Sequence, residues 1–538
     1  MCFRRNNLNY KKIVTASSAM ALTVGLLAGY SNLVSAKDST DDAASTVETK
    51  KSPAQVISSY NLMTKVAGTK NYKVWKNVVN GKVSGKVADA IVFRYNHIQS
   101  NQSIKTKKAT YWLIYVDGRR VGWVNEKFFA RNQIAVPKTV SLVRNSNYVF
   151  DASDAISYAT DDTGTVVDNE DVDISKDVIN CDKPKTYTVK YSLGKAKAST
   201  KITVRKSTKE GIANANAVTP KKGTTSLKSW DSHYGSSLNY ISNKEYSPET
   251  DTHSWSSNGI TMKTRLFQPV LLSVKTNSAN EGEINRVGHI PEGVTVSHNW
   301  AFTSLLSYTS SIQGHIVGYD LSKLTDPFEP QHLLTMKQSK FNSYVQNIKV
   351  SPYVPIGHGQ AMGSTKKYVY ALVNNNDVDT NKSEELVQIR RSDMLINKIW
   401  TIKCWNGNDS DPRYFKNGVV VSDKQMYTLN YDEKRDCYEY WEFNRKGDNW
   451  YPTLVGATEG DFVGGTGPVQ GFTYDSKNKN FYIAFNDIVV KVGRTGTYKG
   501  YYDFTTGREI EGISVDDGHL YFNLAQRAEL LKSVQKLN

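Results

Sequence analysis

The sequence has little cysteine, and this limits how the fold can be held together. Four cysteines occur in 538 residues, and Cys2 lies at the extreme N-terminus. The other three are Cys181, Cys404 and Cys437. An odd number in an exported chain of this size does not indicate a disulfide framework. Cys404 and Cys437 either pair across neighbouring strands or serve as small buried hydrophobic residues.

Long apolar runs are also missing, except near the N-terminus. Two pairs of basic residues precede the mostly apolar segment 13–27, and Val34-Ser35-Ala36 supplies the small residues of a cleavage site. This pattern predicts a secretory signal peptide over residues 1–36. An uncleaved membrane anchor is disfavoured because the apolar stretch is short and is interrupted by Thr and Ser. We therefore expect a secreted, extracellular protein with no membrane span in its mature chain.

Acidic residues are outnumbered. The chain has 68 Lys and Arg against 52 Asp and Glu, a formal net charge of +16. The predicted signal peptide contains four basic and no acidic residues, so the mature chain retains a charge of +12. Basic exported proteins are attracted to polyanions, and on a Gram-positive cell these are teichoic acids and acidic lipids. Export argues against nucleic acid as the partner.

Recognisable catalytic motifs are absent. The sequence contains no G-x-S-x-G, no H-E-x-x-H and no P-loop, so no catalytic residue, cofactor or metal is predicted. The acidic run 161–177 offers oxygen ligands for calcium, but its spacing fits no EF-hand, and a solvated loop is the favoured interpretation. Helical periodicity is scarce. Only Ala525–Leu537 is compatible with a helix, and it is equally compatible with a closing strand.

Short strands dominate what remains. Residues 468–485, PVQGFTYDSKNKNFYIAF, consist of two short apolar runs joined by a polar turn, which predicts a β-hairpin. Similar hairpins are predicted over 358–373, 418–429 and 511–524. Aligned on Gly359, Gly418, Gly471 and Gly512, these repeats are 59, 53 and 41 residues apart. Hairpin repeats of roughly 40–50 residues are typical of propeller blades, so residues 228–538 are predicted to form a β-propeller of about five blades.

Polar residues stand at the predicted strand starts, where inner strands of a propeller approach its central channel. Such a ring could bind a sugar, coordinate a metal or act as an acid–base pair. Alternatively, its members satisfy one another and ordered water. The predicted ligand-binding residues of the channel are His298, Asn299, His358, Gln360, Gln470 and Glu511.

The N-terminal third is different in character. Residues 37–55 are polar and non-periodic, as in a flexible tether. Within 56–132, TYWLIYVDGRRVGWVNEKFF reads as strand, Asp-Gly turn and strand. This segment is similar to the end of the GW module, an SH3-like barrel of bacterial surface proteins. The resemblance implies non-covalent attachment to teichoic acid or another anionic wall polymer through Tyr111, Trp112, Gly122 and Trp123, although both tryptophans could simply fill the barrel core.

Residues 135–206 contain three roughly alternating segments and look like a bacterial Ig-like sandwich that acts as a spacer. Residues 207–227, which include Pro220 and Gly223, are predicted to be a linker. The expected fold class is therefore all-β, with an SH3-like barrel, an Ig-like sandwich and a propeller.

The C-terminal region carries a further resemblance. GHGQAM…KKYVYALVNNN, GPVQGFTYDSKNKNFYIAF and EIEGISVDDGHLYF are similar in order and spacing to the helveticin J-like class III bacteriocins. That family implies a secreted antibacterial effector that engages a component of the target-cell surface. The added N-terminal modules favour retention at the cell wall. The alternative is a surface adhesin or glycan-binding protein without killing activity.

Overall fold

In a computed structural model of the protein, nearly all regular structure is β. The predicted signal peptide and most of the predicted tether lie outside the residues that the structure describes. Those are 55–61, 72–93, 98–116, 119–146, 148–162, 164, 166–206, 211–213, 218–225, 227–228, 248–268, 290–306, 313–333, 336–373, 384–405, 412–463, 468–525 and 528–538.

The first six strands form one antiparallel sheet in the order β1-β4-β5-β6-β2-β3. The predicted hairpin is present, since β5 pairs with β6. The strands are β1 (Gln55–Asn61), β2 (Lys73–Val79), β3 (Lys82–Asp89), β4 (Ile98–Lys105), β5 (Thr110–Val116) and β6 (Arg119–Asn125).

The middle region contains eight further strands, and the three segments predicted from alternation correspond to β8, β13 and β14. In this region β14 pairs antiparallel with β13 and parallel with β8. The strands are β7 (Gln133–Ala135), β8 (Thr139–Leu142), β9 (Val149–Asp151), β10 (Tyr158–Thr160), β11 (Asp173–Ile174), β12 (Val178–Asn180), β13 (Lys185–Leu193) and β14 (Ala196–Val204).

The described part of the C-terminal region contributes 24 strands. They are β15 (Ser254–Ser257), β16 (Ile260–Phe267), β17 (Ile290–Ser297), β18 (Trp300–Leu306), β19 (Gln313–Asp320), β20 (Ile348–Val350), β21 (Val354–Pro355), β22 (Met362–Ser364), β23 (Tyr368–Val373), β24 (Glu384–Arg390), β25 (Ile396–Ile402), β26 (Cys404–Trp405), β27 (Pro412–Arg413), β28 (Asn417–Ser422), β29 (Gln425–Asp432), β30 (Cys437–Lys446), β31 (Asn449–Glu459), β32 (Gly471–Asp475), β33 (Asn480–Ala484), β34 (Ile488–Gly493), β35 (Tyr498–Asp503), β36 (Ile510–Asp516), β37 (His519–Leu524) and β38 (Glu529–Ser533).

Twenty-two of these strands build the five antiparallel blades of a propeller, while β26 and β27 pair with each other in a separate two-stranded sheet. Blade 1 is β17–β21, blade 2 is β22–β25, blade 3 is β28–β31 and blade 4 is β32–β35. Blade 5 has the order β36-β37-β38-β16-β15, so it joins the first and last strands of the region. The first strands of neighbouring blades lie side by side in a closed ring, β17-β22-β28-β32-β36 and back to β17. The prediction of an all-β fold with a propeller of about five blades is confirmed.

The C-terminal segment closes the ring as a strand rather than as a helix. Within Ala525–Leu537, β38 pairs with β37 on one side and with β16 on the other. Met262 lies opposite Ser533 in this pairing. The blade is thereby completed by strands from both ends of the region.

The middle region shares a sheet with the propeller. Strand β25 of blade 2 pairs in parallel with β8, where Ile399 lies opposite Val140. The resulting eight-stranded sheet has the order β11-β13-β14-β8-β25-β24-β23-β22. The described parts of the predicted linker also pair with propeller strands. Ile212 forms a β-bridge with Trp405, and Lys221 forms one with Thr458.

An insertion in blade 1 contacts the N-terminal sheet. It contains α1 (Gln338–Tyr344), the only α-helix among the described residues. The side-chain amide of Asn342 donates a hydrogen bond to the carbonyl of Val121 over 3.2 Å. Phe341 and Tyr319 belong to the same buried cluster as Ile114 and Val124 of the N-terminal sheet. One face of that sheet is therefore packed against the propeller.

Glycines mark where the inner strands crowd together. A Cβ atom on Gly512 would lie 2.5 Å from the backbone nitrogen of Val294, and one on Gly471 would lie 2.7 Å from Ile513 Cγ2. Both glycines therefore permit a close approach of the inner strands, since no larger residue fits there without displacement. The strand predicted to start at His358 begins instead at Met362, and Gly363 is the inner-strand glycine of blade 2. Gly359 lies in the preceding turn with φ = 88°.

Candidate functional site

Two surfaces have the chemistry of binding sites, and the first is an aromatic face on the N-terminal sheet. Trp75 of β2 lies opposite Trp123 of β6, which in turn lies opposite Leu113 of β5. Half-buried Tyr111 and Tyr115 flank Leu113 along the same face, because alternate residues of a strand share a face. The Lys73 ammonium lies 5.6 Å from the Trp75 ring centroid. This aromatic face, Trp75, Tyr111, Tyr115 and Trp123, is opposite the face that packs against the propeller.

Gly122 makes this arrangement possible. It lies at an irregularity in the β5–β6 pairing, where the register shifts between Ile114 and Tyr115. Its φ of 149° falls in a range that L side chains rarely adopt, and a Cβ atom there would be 2.7 Å from the Trp75 carbonyl oxygen. The glycine of the Gly-Trp pair is thus needed to bring β6 against β2.

Trp112 does not belong to the aromatic face. Its side chain is half-buried and packs against the cluster that the N-terminal sheet shares with the propeller. Of the residues predicted to bind the wall, Tyr111 and Trp123 lie together on the aromatic face. Trp112 is separated from them because neighbouring residues of a strand point to opposite faces.

The second surface is the channel mouth, formed where the inner strands begin. Glu292 is near the start of β17 and Glu511 near the start of β36, while Gln470 directly precedes β32. Gln360 stands two residues before β22. The inner strands run in the same direction around the ring, so these side chains meet at one end of the channel.

Amide groups link three blades across this mouth. The Gln360 side-chain amide donates to Gln470 Oε1 and, over 3.1 Å, to Glu511 Oε2. The Gln470 amide donates to Asn486 Oδ1 over 3.2 Å and to Glu509 Oε1 over 2.5 Å. Blades 2, 4 and 5 are therefore connected by buried or half-buried hydrogen bonds. This agrees with the second interpretation of the sequence, in which the polar residues of the channel form hydrogen bonds with one another.

Three carboxyl groups share the mouth, and their mutual proximity opposes full ionisation. Burial raises the pKa of Glu292 well above its ordinary value, and Glu511 and Glu509 raise it further. The pKa of Glu511 is raised well above its ordinary value by burial and by Glu509, and burial raises the pKa of Glu509. Like charges this close oppose one another's ionisation, so the three carboxyl groups lose their protons less readily than isolated ones.

His358 lies at the edge of the mouth. Its Nε2 is 3.6 Å from Glu292 Oε2, and its side chain is 30% exposed. Burial lowers the pKa of His358, while the pKa of Glu292 is raised. Both shifts disfavour the charged forms, so they oppose the formation of an ion pair between the two groups.

One polar atom of the mouth has unused hydrogen-bonding capacity. Glu292 Oε2 is buried and has no hydrogen-bond partner among the described residues. The described residues contain no group of three or more His, Cys, Asp or Glu placed to hold a metal ion. The mouth instead offers carboxyl, amide and imidazole groups to a ligand that carries hydroxyl groups, because such groups exchange donors and acceptors with hydroxyls.

His298 and Asn299 are not part of the channel mouth. They form the two-residue turn between β17 and β18, with φ of 53° and 63°, and both are exposed. Asp516, at the far end of β36, interacts electrostatically with His298. The two residues therefore lie at the opposite end of the inner strands, and their assignment to the same site as Gln470 is wrong.

Sequence reasoning missed Glu292, Glu509 and Asn486. A signal for the first was present, since Glu292-Gly293-Val294-Thr295 repeats the pattern of Glu511-Gly512-Ile513-Ser514 and of Gln470-Gly471-Phe472-Thr473. Including Gly293 in the glycine alignment would have located blade 1 and its carboxylate. Asn486 follows β33 and carries no comparable signature.

The three cysteines outside the predicted signal peptide are free and buried. Burial raises the pKa of the Cys181 thiol to about 12 and that of Cys437 to about 11. Cys404 and Cys437 were expected either to pair or to serve as small buried hydrophobic residues, and in the structure they are unpaired thiols that pack as small apolar groups.

The described residues include no helix with the length and apolar character required to traverse a lipid bilayer.

Together these features define an all-β protein with an aromatic N-terminal module and a five-bladed propeller whose channel mouth is acidic. Comparison with known families matches residues 56–130 to the GW (Gly-Tryp) dipeptide domain. The GW module predicted from the sequence is thereby confirmed, and its family indicates association with the cell wall. None of the curated proteins compared with the chain matches it.

Solved structures similar to the chain include Myxococcus xanthus glutaminyl cyclase, with 12% identity, a TM-score of 0.27, and coverage of 46% of this chain and 91% of that one. The β-propeller domain of Cps50 (Swd1) from Myceliophteria thermophila has 8% identity, a TM-score of 0.25, and coverage of 46% and 84%. The gluconolactonase XC5397 from Xanthomonas campestris has 6% identity, a TM-score of 0.24, and coverage of 53% and 95%. Similarity at this level carries no functional argument, and the propeller assignment rests on the strand pairing described above.

Proposed function

We propose that this is an exported protein held at the bacterial wall by its GW module, while the channel mouth of its propeller binds a hydroxyl-rich ligand on a cell surface. The observation that carries the proposal is the match of residues 56–130 to the GW domain. The aromatic face supports it, because half-buried Trp75 and Tyr111 are available to a ligand. The excess of basic residues adds attraction to teichoic acid or a related anionic polymer.

Wall attachment is tested by binding the full-length protein to purified walls. The variant Trp75→Ala with Tyr111→Ala removes the accessible part of the aromatic face while leaving Trp123 in place. We expect its wall binding to fall at least about tenfold, corresponding to ~1.4 kcal/mol. Tyr501→Ala is the matched control, because Tyr501 is an exposed aromatic residue of the propeller. Equal binding by the aromatic-face variant and the control would refute attachment through this face.

The nature of the wall ligand requires a second comparison. Walls from which teichoic acid has been chemically removed should retain little protein if the anionic polymer is the ligand. Concentrated salt should also release bound protein, since the Debye length falls to about 3 Å at 1 M ionic strength. Undiminished binding to stripped walls would point to another wall component.

The resemblance of residues 230–537 to helveticin J-like bacteriocins supports an antibacterial effector as the finer function. In that proposal the channel mouth engages a component of the target-cell surface. An adhesin or glycan-binding protein is the alternative, and the wall-binding module favours it. Purified protein applied to related bacteria and to an array of bacterial and host glycans separates the two: killing supports the effector, whereas glycan binding without killing supports the adhesin.

A further inference from the structure

The end of the propeller opposite the channel mouth has a distinct charge. It is formed by the hairpin turns that follow the five inner strands, and we term it the distal rim. The side chains of Thr365 and Asp423 show that turns from neighbouring blades meet there, because Thr365 Oγ1 donates to Asp423 Oδ1 over 2.8 Å. The distal rim comprises residues 298–299, 365–367, 423–424, 476–479 and 517–518.

Five lysines occupy the distal rim on three consecutive blades. All five are exposed, and their ammonium groups have no carboxylate partner among the described residues. Like charges grouped without counter-ions repel one another and favour the binding of a polyanion. The lysines are Lys366 and Lys367 of blade 2, Lys424 of blade 3, and Lys477 and Lys479 of blade 4.

The carboxylates of the rim are engaged in other interactions. Asp423 accepts hydrogen bonds from Thr365 and from the Tyr370 hydroxyl, both over 2.8 Å. Asp475, just before the blade 4 turn, accepts from the backbone nitrogen of Lys477 over 3.0 Å. Asp517 pairs with Lys536 over 2.9 Å. Asp423 and Asp475 keep their negative charge while they stabilise the turns, but the five lysines outnumber these two carboxylates, so the turns of blades 2, 3 and 4 retain an excess of positive charge.

The rim lacks the features of a membrane-inserting surface. Large hydrophobic residues are exposed at five described positions, and none of them lies in a rim turn. Shallow insertion into a bilayer requires an apolar face beside the basic one. The positions are Val79, Val149, Val178, Tyr501 and Val534.

We propose that the distal rim is a second binding surface for an anionic phosphodiester polymer of the wall. This inference rests on the proposed function, since the GW module supplies the first contact with such a polymer. Two linked contacts with one polymer raise the overall affinity through effective concentration. The acidic channel mouth, at the other end of the inner strands, is then directed away from the polymer and towards its own ligand.

The test reverses the rim charges in the full-length protein by replacing Lys366, Lys367, Lys424, Lys477 and Lys479 with Glu. The matched control replaces five exposed lysines of the middle region with Glu, so that the change in net charge is identical. Both sets are also placed in the Trp75→Ala, Tyr111→Ala background. The control lysines are Lys183, Lys190, Lys195, Lys197 and Lys201.

Binding is measured with linear inorganic polyphosphate and with purified teichoic acid at several salt concentrations. We expect the rim variant to lose at least about tenfold in affinity in both backgrounds, and the control set to lose much less. Equal losses in the two sets, or no loss in either, would overturn the proposal. Circular dichroism checks folding, and a Lys→Gln version of the rim variant serves if the Glu version unfolds.

Two further outcomes separate this inference from the proposed function. If the aromatic-face variant binds like the wild type while the rim variant does not, the GW proposal fails and the rim stands. If only the aromatic-face variant loses affinity, the rim proposal fails. Vesicles of phosphatidylglycerol are the last probe, and tighter binding to them than to the polymers would overturn the choice of ligand.

Discussion

The hydroxyl group of Tyr148, in the middle region, donates a 2.5 Å hydrogen bond to Glu385 of blade 2. Both groups are buried, and the second oxygen of Glu385 has no hydrogen-bond partner among the described residues. Burial raises the pKa of Glu385 to about 7 and that of neighbouring Glu384 to about 8. Strand β24 therefore carries two buried carboxyl groups that favour their protonated forms, and Glu385 places one of them at the junction with the middle region.

This junction predicts a pH dependence of stability. Because the folded state binds these protons more tightly than the unfolded state, the stabilisation is complete below the ordinary carboxyl pKa of about 4.5 and is lost as pH rises through 7 to 8. The free energy of unfolding should therefore fall between pH 5 and pH 9. Glu385→Gln should flatten this decline, measured by denaturant titration, whereas Glu170→Gln at an exposed site should not. An unchanged slope in Glu385→Gln would contradict the prediction.

Gly122→Ala should destabilise the GW module. The new Cβ atom would stand 2.7 Å from the Trp75 carbonyl oxygen at a φ of 149°, and strain of this kind costs about 1–3 kcal/mol. Hydrogen exchange of β5 and β6 amides should accelerate, and wall binding should weaken with it. Ser84→Ala, exposed in the same sheet, is the control. Wild-type exchange rates in Gly122→Ala would show that the sheet adapts.

Gly512→Ala and Gly493→Ala form a matched pair in the propeller. The first places a methyl group 2.5 Å from the Val294 backbone, while the nearest neighbour of the second is the flexible end of Lys499 at 3.2 Å, with Thr497 at an ordinary contact distance of 3.6 Å. We expect Gly512→Ala to lower the free energy of unfolding by about 1–3 kcal/mol. Gly493→Ala should change it by less than half as much. Equal effects, measured by thermal and denaturant unfolding, would argue against crowding between inner strands.

At the channel mouth, His358 and Gln470 should respond differently to substitution. Gln470→Ala removes a buried amide together with the hydrogen bonds that it makes to Gln360, Asn486 and Glu509, at a cost of about 1–3 kcal/mol in stability. Half-exposed His358→Ala should weaken ligand binding with little effect on unfolding. Unfolding curves and binding to cells or glycans measure the two effects. A His358→Ala variant with full binding would remove His358 from the site.

The buried thiols should be unreactive. Burial raises the pKa values of all three cysteines, and the thiolate is the reactive form. A thiol reagent should therefore modify the described cysteines only after denaturant is added to the folded protein, and a reductant should leave the unfolding temperature unchanged. A reductant-dependent unfolding temperature would reveal a disulfide bond.

The sequence predicts the local features of the fold well. Alternating residues and polar turns identify hairpins such as β32–β33, because both signals lie within about 15 residues. Convergence of Gln360, Gln470 and Glu511 could be predicted once the repeats were recognised as blades. His298 and Asn299 were misplaced because polar residues in a tight hairpin turn resemble those at a strand start.

Long-range pairing is what the sequence does not reveal. The backbone of Val143 donates to Thr401, 258 residues away, where the middle region joins blade 2. The parallel pairing of β8 with β25 leaves no turn and no short-range pattern to detect. The role of Glu292 was not predicted for a related reason. The insertion that contains α1 lengthens blade 1, so its repeat does not share the spacing of the others.

The closure of blade 5 has a consequence for the order of events in folding. Strand β16 pairs with β38, where Met262 lies opposite Ser533, so the ring cannot close until nearly the whole chain has been synthesised. Contacts across such sequence distances form slowly, because loop closure costs entropy before the contact is gained. A nascent chain in this condition exposes unpaired strand edges at β16. Under the export proposed above, the chain would cross the membrane in this open state, and the propeller would form afterwards.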